Sequence, residues 1–471
     1  MGKQAIIIGA GITGLSAAWK LAEAGYQVRV VEKNDYIGGM SSTFTYKNYK
    51  LDYGPHKIFT VMDHIMQEIL NLFDTTELLS IEKRSHIRLR GKYLSYPVSM
   101  KDVFTSIGIG TGISCGTGYA SSKIKAVLVP PEAISYEDWV VNRFGKPTYE
   151  LVLGPYARKI WGNPRELSKD LAETRIAMPT LMEMVKQMLF GKKKDSPIIN
   201  ADHFYYPLQG FIEISRKMTN RIMEHGGEIQ LGKKLASLST NVNYQISSIT
   251  FADNSTCSLH TDDVVVSTVP LSELIEALGT QVNDDIRKAV LELKTRRLIL
   301  LYIVFNKERI TDDNWLFFPE STYRFNRVFE QKGFNLSMIP TDKTVLCIEI
   351  TCDQDDPLWS TSDEEVYLAC EAGLREAGLL DEEIEEYFTK RLQDAYPIYD
   401  LHYKDNLNTV MDFLDTIPNL YSIGRQGCFS YAGMADCIDM GMATARLISN
   451  NQQRDKWKQL RQKFYEYVVV D

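Results

Sequence analysis

The chain has 471 residues, of which 44% are hydrophobic, 11% aromatic and 24% charged. These proportions are typical of a globular protein and exclude a disordered chain, a fibre and a small disulfide-rich scaffold. The formal charge of -8, from 53 Lys and Arg against 61 Asp and Glu, argues against general nucleic-acid binding, which depends on neutralising phosphates.

A βαβ unit is predicted at the N-terminus. A strand over 5–9, a helix over about 13–24 and a strand over 28–32 follow one another. Between the first strand and the helix the chain reads Gly9-Ala10-Gly11-Ile12-Thr13-Gly14. The glycines of such a GxGxxG motif allow a tight turn, close approach of a pyrophosphate and close packing of helix on strand. The motif therefore predicts an adenine-dinucleotide site rather than a purely structural turn.

Two neighbouring features extend this predicted site. The helix N-terminus offers free N–H groups to a phosphate, and Glu32 ends the second strand, where a carboxylate accepts hydrogen bonds from ribose hydroxyls. After this strand the chain reads Gly38-Gly39-Met40-Ser41-Ser42. Paired glycines before a small polar residue form a second pyrophosphate loop in flavoproteins of the amine-oxidase type, which favours FAD over NAD. A plain hairpin turn is the alternative.

The rest of the chain is predicted to alternate between helical and β/α regions. Residues from about 75 to 200 carry mixed helical patterns, and the Gly-, Ser- and Thr-rich stretch 103–119 fits a loop or a surface-lying helix. A basic amphipathic tail over 454–467 fits a plain surface helix, a membrane contact or a subunit contact. The later predicted elements are a helix over 212–225, a buried strand over 264–267, strands over 298–305 and 345–350, a helix over about 361–377, a strand over 420–423 and a helix over 436–448.

Cysteine usage and hydropathy indicate the cellular setting. The seven cysteines include no CxxC pair, so a zinc or thioredoxin-like motif is not indicated and reduced thiols are expected. The chain enters a core strand at once, which predicts that no signal peptide is present. No run of eighteen or more apolar residues occurs, so no transmembrane helix is predicted. We expect a cytoplasmic protein.

Several segments carry a family resemblance. The two glycine loops, the segment 206–211, the strand 264–270 and Gly424-Arg425 followed by a helix near Asp436 resemble an FAD superfamily. It holds protoporphyrinogen oxidases, flavin amine oxidases, phytoene desaturases and UDP-galactopyranose mutases, and the resemblance covers nearly the whole chain. It implies an α/β fold: a Rossmann-type FAD-binding domain, glutathione-reductase-like, with a helical insert and a β-sheet substrate domain.

The resemblance implies a discontinuous domain organisation, with the active site between domains. The implied parts are an FAD-binding domain of residues 1–75, 205–275 and 395–450, a mainly helical insert of residues 76–204, a sheet-based substrate domain of residues 276–394, and a C-terminal helical tail of residues 451–471.

The implied cofactor is FAD, without a metal. Arg425 would neutralise the pyrophosphate, and the helix N-terminus near Asp436 would face the flavin pyrimidine ring, where reduction places negative charge. With one dinucleotide fingerprint, no built-in NAD(P) domain is expected. The residues implied to bind FAD are Gly9, Gly11, Ile12, Thr13, Gly14, Glu32, Lys33, Gly39, Met40, Ser41, Gly54, Pro55, His56, Leu235, Thr268, Gly424, Arg425, Met434, Ala435 and Asp436.

Within the superfamily, the segments 52–59, 156–176 and 424–434 look most like UDP-galactopyranose mutases. By that likeness, His56 would lie beside the flavin ring and Trp161 would form a wall of the substrate pocket. Arg175 and Tyr431 would contact a substrate diphosphate, for which a planar guanidinium is suited. These four are the candidate catalytic residues. A second phosphate-binding arginine would come from Tyr323-Arg324 or from Arg327.

The sequence also departs from the mutase pattern. Gly433 and Ala435 stand where two acidic residues bracket the methionine, and Met178 replaces a second arginine. The first hypothesis is therefore an FAD-dependent oxidoreductase that transfers a hydride from a sugar or nucleotide sugar to flavin N5. The alternative is a mutase-like, non-redox isomerase that uses reduced FAD as a nucleophile on a nucleotide sugar. A flavin-binding protein without catalysis is the third reading.

The expected partners follow from these hypotheses. They are a small-molecule substrate such as a nucleotide sugar and a second copy of the chain in a homodimer. Nucleic acid is not expected, and peripheral contact with a membrane is left open.

Overall fold

The structure of the chain is a computed structural model that describes residues 2–98, 102–128, 132–176, 203–380, 384–450 and 454–469. Its strands are β1 (Gln4–Ile8), β2 (Gln27–Val31), β3 (Thr43–Tyr46), β4 (Tyr49–Asp52), β5 (Leu78–Glu82), β6 (Ser85–Leu89), β7 (Lys92–Ser95), β8 (His203–Pro207), β9 (Glu228–Gln230), β10 (Leu235–Thr240), β11 (Ile246–Phe251), β12 (Thr256–Ser258), β13 (Val264–Ser267), β14 (Thr295–Phe305), β15 (Trp315–Phe317), β16 (Arg327–Glu330), β17 (Thr344–Cys352), β18 (Ile384–Pro397) and β19 (Leu420–Ser422).

The longer α-helices connect and cover these strands, and short helical turns lie between them. The helices are α1 (Ile12–Glu23), α2 (Asp63–Leu70), α3 (Ile109–Leu128), α4 (Tyr136–Phe144), α5 (Gly154–Trp161), α6 (Lys169–Arg175), α7 (Glu213–Glu224), α8 (Leu271–Leu278), α9 (Asp284–Glu292), α10 (Asp363–Glu376), α11 (Tyr403–Leu414), α12 (Met434–Ser449) and α13 (Arg454–Lys463).

The predicted βαβ unit forms the centre of a parallel five-stranded sheet with the order β19-β13-β1-β2-β9. Alternate side chains of β1 enter different cores: Ala5 and Ile7 pack with α1, α7 and α12, and Ile6 and Ile8 pack on the opposite face. Because helices and loops cover both faces, this strand is apolar from Ala5 to Ile8. The predicted α/β fold with a Rossmann-type FAD-binding domain is confirmed.

A second, seven-stranded sheet has the order β18-β14-β17-β16-β15-β6-β7. Its long central strand β14 pairs antiparallel with β17 and β18. Helix α10 covers one face and buries Cys370 and Leu374 against Phe325 and Ile348. The apolar stretches 298–305 and 345–350 of the sequence lie inside β14 and β17, where burial on both faces explains their composition.

The segment 76–204, expected to be mainly helical, also contains strands. β5 pairs with β8, and β6 joins the second sheet through a parallel pairing with β15. These strands are short and mix polar with apolar residues, so their pattern did not reveal pairing with partners far along the chain. The stretch 103–119 lies in a helical turn, Val103–Ile107, and in α3. No helix among the described residues has the length and apolar character needed to cross a bilayer.

The packing of α1 against α12 depends on glycine. A Cβ added to Gly441 would overlap the Ser16 hydroxyl and lie 2.5 Å from the carbonyl oxygen of Thr13. The Ser16 hydroxyl itself donates to the carbonyl oxygens of Thr13 at 2.9 Å and Ile438 at 3.2 Å. The two helices therefore meet at backbone distance, and this contact positions the N-terminus of α12 relative to the first glycine loop.

We expect Gly441→Ala to destabilise the protein by about 1–3 kcal/mol, because the added methyl group overpacks this contact. Gly116→Ala in α3 is the matched control: a Cβ there meets nothing within 4 Å, and alanine in a helix is about 1 kcal/mol more favourable than glycine. Thermal unfolding with a measurement of bound flavin checks both. Equal melting temperatures for the two variants would contradict this account of the helix contact.

Candidate active site

The first glycine loop joins β1 to α1 and leaves room for a ligand. Gly9 has φ +105, and a Cβ added to it would overlap the Thr268 hydroxyl. A Cβ on Gly14 would overlap the carbonyl oxygen of Gly9, whereas a Cβ on Gly11 would meet nothing within 4 Å. The first and third glycines thus serve internal packing. The second faces open space, as close approach of a pyrophosphate requires.

The second glycine loop lies directly beside the first. The Gly38 N–H donates to the Ala10 carbonyl oxygen at 2.8 Å, and a Cβ on Gly39 would lie 3.4 Å from the Cα of Gly11. A single helical turn, Gly39–Ser41, follows. The buried hydroxyl of Ser42 has no hydrogen-bond partner among the described residues. The structure therefore brings together the two glycine loops and the buried Ser42 hydroxyl.

Glu32 fixes the shape of this region. Its Oε2 accepts from the Ala10 N–H at 2.8 Å, and its Oε1 accepts from the backbone N–H of Asn34 at 2.9 Å and from its side-chain amide at 2.7 Å. Carboxylate oxygens have further lone pairs, so hydrogen bonds from ribose hydroxyls remain available. The adjacent Lys33 forms an ion pair with Glu273 at 2.7 Å. The Lys233 N–H donates to the Glu32 carbonyl oxygen, and Leu235, the first residue of β10, follows two positions later.

The opposite end of the site is built by residues 424–436. The Arg425 guanidinium donates to the Ala432 carbonyl oxygen at 2.9 and 2.7 Å and to the Ala395 carbonyl oxygen at 3.2 Å. α12 begins at Met434, and the Asp436 carboxylate accepts from the Gly433 N–H at 2.7 Å. Burial raises the pKa of Asp436 to about 6, although that hydrogen bond and the Arg425 charge oppose the shift. In this structure Arg425 holds the loop before α12 and also lines a cavity.

These residues fit FAD. Open space above Gly11, the unpartnered Ser42 hydroxyl, the N-terminus of α1 and the Glu32 carboxylate match the needs of a pyrophosphate and a ribose. The individual FAD contacts of the twenty residues named from the resemblance stay predictions. Among the described residues no group of three or more His, Cys, Asp and Glu is arranged to hold a metal ion.

A cavity of about 770 Å³ adjoins this FAD-binding region. Aromatic, cationic and acidic side chains line it, contributed by the loop after β4, by α4 to α6, by the second sheet, by the start of α12 and by the C-terminal segment. The lining side chains that bear on chemistry are His56, Lys57, Trp139, Arg143, Tyr156, Glu173, Arg175, Arg327, Glu349, Tyr396, Arg425, Tyr431, Asp436, Glu466 and Tyr467.

His56 is an uncharged imidazole at neutral pH. Burial lowers its pKa to about 4, and the charges of Arg327 and Arg425 act in the same direction, against a hydrogen bond to the Gly54 backbone. Its Nδ1 lies 2.9 Å from the Gly54 carbonyl oxygen, and its ring stacks on Phe211 with centroids 4.9 Å apart. Because a carbonyl only accepts, Nδ1 carries the proton and Nε2 is left as an acceptor.

A buried polar network around Asp52 supports the loop that carries His56. The Asp52 carboxylate accepts from the hydroxyls of Thr43 and Tyr206, and the Tyr302 hydroxyl donates to its carbonyl oxygen at 2.7 Å. Burial raises the pKa of Asp52 to about 6 in spite of these hydrogen bonds. Tyr302 belongs to β14, so the network ties the FAD-binding half to the second sheet. Sequence reasoning named Asp52 only as part of a motif and missed this role.

Two parallel tyrosines and two arginines form one wall of the cavity. Tyr396 and Tyr431 stack with centroids 5.5 Å apart and an interplanar angle of 7°. Arg175 lies 5.0 Å from the centre of the Tyr431 ring, and Arg425 lies 5.7 Å from that of Tyr396. All of these except Tyr396 were named from the sequence.

Trp161 differs in position from the predicted pocket wall. It is 5% exposed and is not among the residues that line the cavity. Its indole N–H donates to the Tyr431 hydroxyl at 3.1 Å. The structure therefore places it behind Tyr431, where it orients the tyrosine that faces the cavity.

Arg327 is the candidate second arginine that faces this cavity. It forms a bidentate ion pair with Glu349, with N···O distances of 2.7 and 2.9 Å. Burial would lower the Arg327 pKa, but the charge and hydrogen bonds of Glu349 hold it well above its usual value. Arg324 instead pairs with Asp356, and the Tyr323 hydroxyl accepts from Arg88, both outside this cavity. Glu349 was not recognised from the sequence, because its partner Arg327 lies on a different strand, β16.

The positions that depart from the mutase pattern also line the cavity. Gly433 and Ala435 face it without a charge, and Asp436 accepts a hydrogen bond from the backbone of its own helix start. Met178 lies outside the described residues.

The C-terminal segment Glu466–Val469 closes one side of the cavity. The Tyr467 hydroxyl donates to Asp439 at 2.6 Å, the Tyr465 hydroxyl donates to the Cys428 carbonyl oxygen at 3.0 Å, and the Val469 N–H donates to the Thr174 carbonyl oxygen at 3.0 Å. The preceding helix α13 buries Trp457. The predicted surface helix therefore packs on the FAD-binding half and leads into the cavity wall, which the sequence pattern did not reveal.

Known families match most of the chain. The family described as "NAD(P)-binding Rossmann-like domain" matches residues 7–75, and the family described as "Flavin containing amine oxidoreductase" matches residues 135–448. A solved structure of reduced UDP-galactopyranose mutase superposes with a TM-score of 0.80 at 19% identity, covering 99% of this chain and 100% of that one. This likeness establishes the fold.

Curated relatives match over shorter segments. A 1-hydroxycarotenoid 3,4-desaturase from Flavobacterium sp. (strain P99-3) is 47% identical over 76 residues, which are 16% of this chain and 15% of that protein. A probable UDP-galactopyranose mutase from Klebsiella pneumoniae is 28% identical over 171 residues, which are 35% of this chain and 43% of that protein. The matches thus span less than half the length of either relative.

We expect Glu349→Ala to lower the free energy of unfolding by about 3 kcal/mol, because it leaves the Arg327 charge unpaired in a mostly buried site. The double variant Arg327→Met with Glu349→Leu should recover most of that loss, since it removes both charges. Urea unfolding measures the two changes. If the double variant is as unstable as Glu349→Ala, the loss of stability comes from altered packing and not from the unpaired Arg327 charge.

Deleting residues 466–471 should leave FAD bound and open the cavity, because the hydrogen bonds of Tyr467 and Val469 go to Asp439 and Thr174 and not to either glycine loop. Flavin reduction by dithionite should become faster. Tyr467→Phe is the matched control, since it removes only the hydrogen bond to Asp439 and keeps the segment in place. Equal reduction rates for the truncated and full-length proteins would exclude a closing role.

Proposed function

Because the chain belongs to the family of flavin containing amine oxidoreductases and its cofactor is FAD, we propose that it is an FAD-dependent oxidoreductase acting on a sugar or nucleotide sugar. FAD, when bound, supplies a hydride acceptor at N5. The protein contributes positioning and electrostatics.

One observation carries the proposal: the wall in which Arg175 and Arg425 lie against the stacked rings of Tyr396 and Tyr431. Guanidinium groups bind phosphates through two parallel hydrogen bonds, and tyrosine rings pack against the flat apolar faces of sugars and bases. Trp161 holds the Tyr431 hydroxyl at 3.1 Å and so restricts its position. This combination suits a substrate with an anionic group beside a sugar.

His56 supplies the proton acceptor in this proposal. Its protonated Nδ1 is committed to the Gly54 carbonyl oxygen, so Nε2 can accept a hydrogen bond from a substrate hydroxyl and take its proton as the carbon beside it is oxidised. The low pKa of about 4 keeps Nε2 available down to mildly acidic pH. The Arg327–Glu349 pair and the C-terminal segment line the same cavity.

A second candidate is a mutase-like isomerisation of a nucleotide sugar, which would require reduced FAD. The observation in its favour is the 28% identity with a probable UDP-galactopyranose mutase, together with Arg175 and Tyr431 facing one cavity. The uncharged Gly433 and Ala435 favour the oxidoreductase instead. The cytoplasmic location and the homodimer stay predictions.

Arg175→Ala should weaken the binding of a nucleotide such as UDP, dTDP or GDP by roughly tenfold or more, because a charge-assisted hydrogen bond to phosphate is lost. FAD should stay bound. Arg165→Ala is the matched control, since Arg165 is paired with Glu137 and does not line the cavity. Titration of the yellow protein, followed by flavin absorbance, measures the affinities.

The same titration separates the two candidate reactions. Anaerobic loss of the oxidised-flavin absorbance on addition of a sugar or nucleotide sugar supports the oxidoreductase. Nucleotide binding that strengthens after dithionite reduction, without substrate oxidation, supports the mutase-like reaction. If no nucleotide or sugar changes the flavin spectrum in either redox state, the proposed substrate class is wrong.

A further inference from the structure

Helix α3 presents an apolar face to solvent. Ile109, Ile113 and Ile124 are 69%, 55% and 61% exposed, and their spacing places them on one side of the helix. Between them this face carries small residues such as Gly110, Thr117 and Ala120 rather than charged ones. The opposite side packs on α4 and the adjoining turn, where a Cβ on Gly145 would overlap the backbone of Gly118. These residues therefore form an uncharged strip along α3 with exposed isoleucines near both of its ends.

Cations flank this strip at both ends. At its start the Arg90 guanidinium donates to the Thr111 hydroxyl at 2.9 Å and the Lys92 ammonium donates to the Ser106 carbonyl oxygen at 2.8 Å. At its end lie Lys123 and Lys125. Residues 103–131 contain no Asp or Glu, although the whole chain carries a formal charge of -8. This stretch, which lies between Asp102 and Glu132, thus carries a net positive charge of its own, whereas the whole molecule is acidic.

We propose that this face of α3, with its flanking Arg and Lys residues, docks the protein on an anionic lipid surface. A helix that lies in the plane of a bilayer interface buries an apolar face among the acyl chains and keeps cations at the headgroups. The exposed isoleucines and the cations at both ends meet these two requirements. The same helix lacks the apolar character needed to span, so docking and not insertion follows.

A second copy of this chain is a poorer occupant. In a two-fold contact between copies of α3, Lys123 and Lys125 at the end of one helix would face Arg90 and Lys92 at the start of the other, and residues 103–131 offer no Asp or Glu to pair with them. That arrangement brings like charges together, whereas lipid phosphates complement them. Docking would also place the cavity near the lipid, since α4, which packs on α3, contributes Trp139 and Arg143 to its lining.

Co-sedimentation of the FAD-loaded protein with lipid vesicles tests the proposal. We expect binding to phosphatidylcholine vesicles that contain phosphatidylglycerol, weaker binding to phosphatidylcholine alone, and release by salt. Ile113→Asp with Ile124→Asp should lower the bound fraction roughly tenfold, because both side chains would enter the acyl region. Lys123→Gln with Lys125→Gln should lower binding to the anionic vesicles alone.

Matched controls come from exposed apolar residues elsewhere. Leu291 and Val242 are 74% and 94% exposed, and their change to Asp should not alter vesicle binding. Retained flavin absorbance shows that each variant is folded. The proposal is overturned if the unaltered protein binds neither kind of vesicle. It is also overturned if the control variants lose as much vesicle binding as the isoleucine variants. A change from dimer to monomer caused by the isoleucine variants would overturn it as well, because it would identify the face as a contact between copies.

Discussion

The structure depends on backbone contacts that only glycine permits. Gly14 lies against the carbonyl oxygen of Gly9, Gly441 lies against Ser16 and Thr13, and a Cβ on Gly424 would come within 2.8 Å of the Thr13 hydroxyl. Segments from the beginning and the end of the chain thereby converge on α1. Because the start of α12 and the loop that carries Arg425 are placed by these contacts, both the FAD-binding region and one wall of the cavity follow from them.

The parts of the fold with local signals were predictable from the sequence. The GxGxxG loop, the apolar strands of the parallel sheet and the paired glycines at 38–39 each carry their pattern within a few residues. The predicted bounds of α1, α7 and α12 differ from the observed ones by one or two residues. Such elements are specified by short-range periodicity, to which distant residues contribute little.

The features that depend on distant partners were not predictable. Glu349 lies within a mostly apolar strand, and its role is to pair with Arg327 of another strand. Asp52 acquires its network from Tyr206 and Tyr302, residues of two other strands. Trp161 was predicted to form a wall of the substrate pocket, whereas the structure places it behind Tyr431, because sequence spacing does not determine which of two contacting rings faces the cavity. The segment after α13 was predicted only as part of a basic amphipathic tail over 454–467, and nothing in that pattern indicated a place in the cavity wall.

The charges of the cavity argue for an anionic substrate. Its acidic side chains are of three kinds. Glu349 is neutralised by Arg327 at 2.7 Å, and Glu173 and Glu466 are exposed, so water and salt screen them. Asp436 is buried, which raises its pKa to about 6, and its carboxylate accepts from the Gly433 N–H. Arg175 and Arg425 are half-buried and lie against aromatic rings, where screening is weaker. Since the His56 imidazole is uncharged at neutral pH, it does not add repulsion toward a cation or attraction toward an anion. The wall formed by Arg175, Arg425 and the two tyrosines is therefore cationic although the whole protein is acidic, which supports the proposed substrate with a phosphate or diphosphate group.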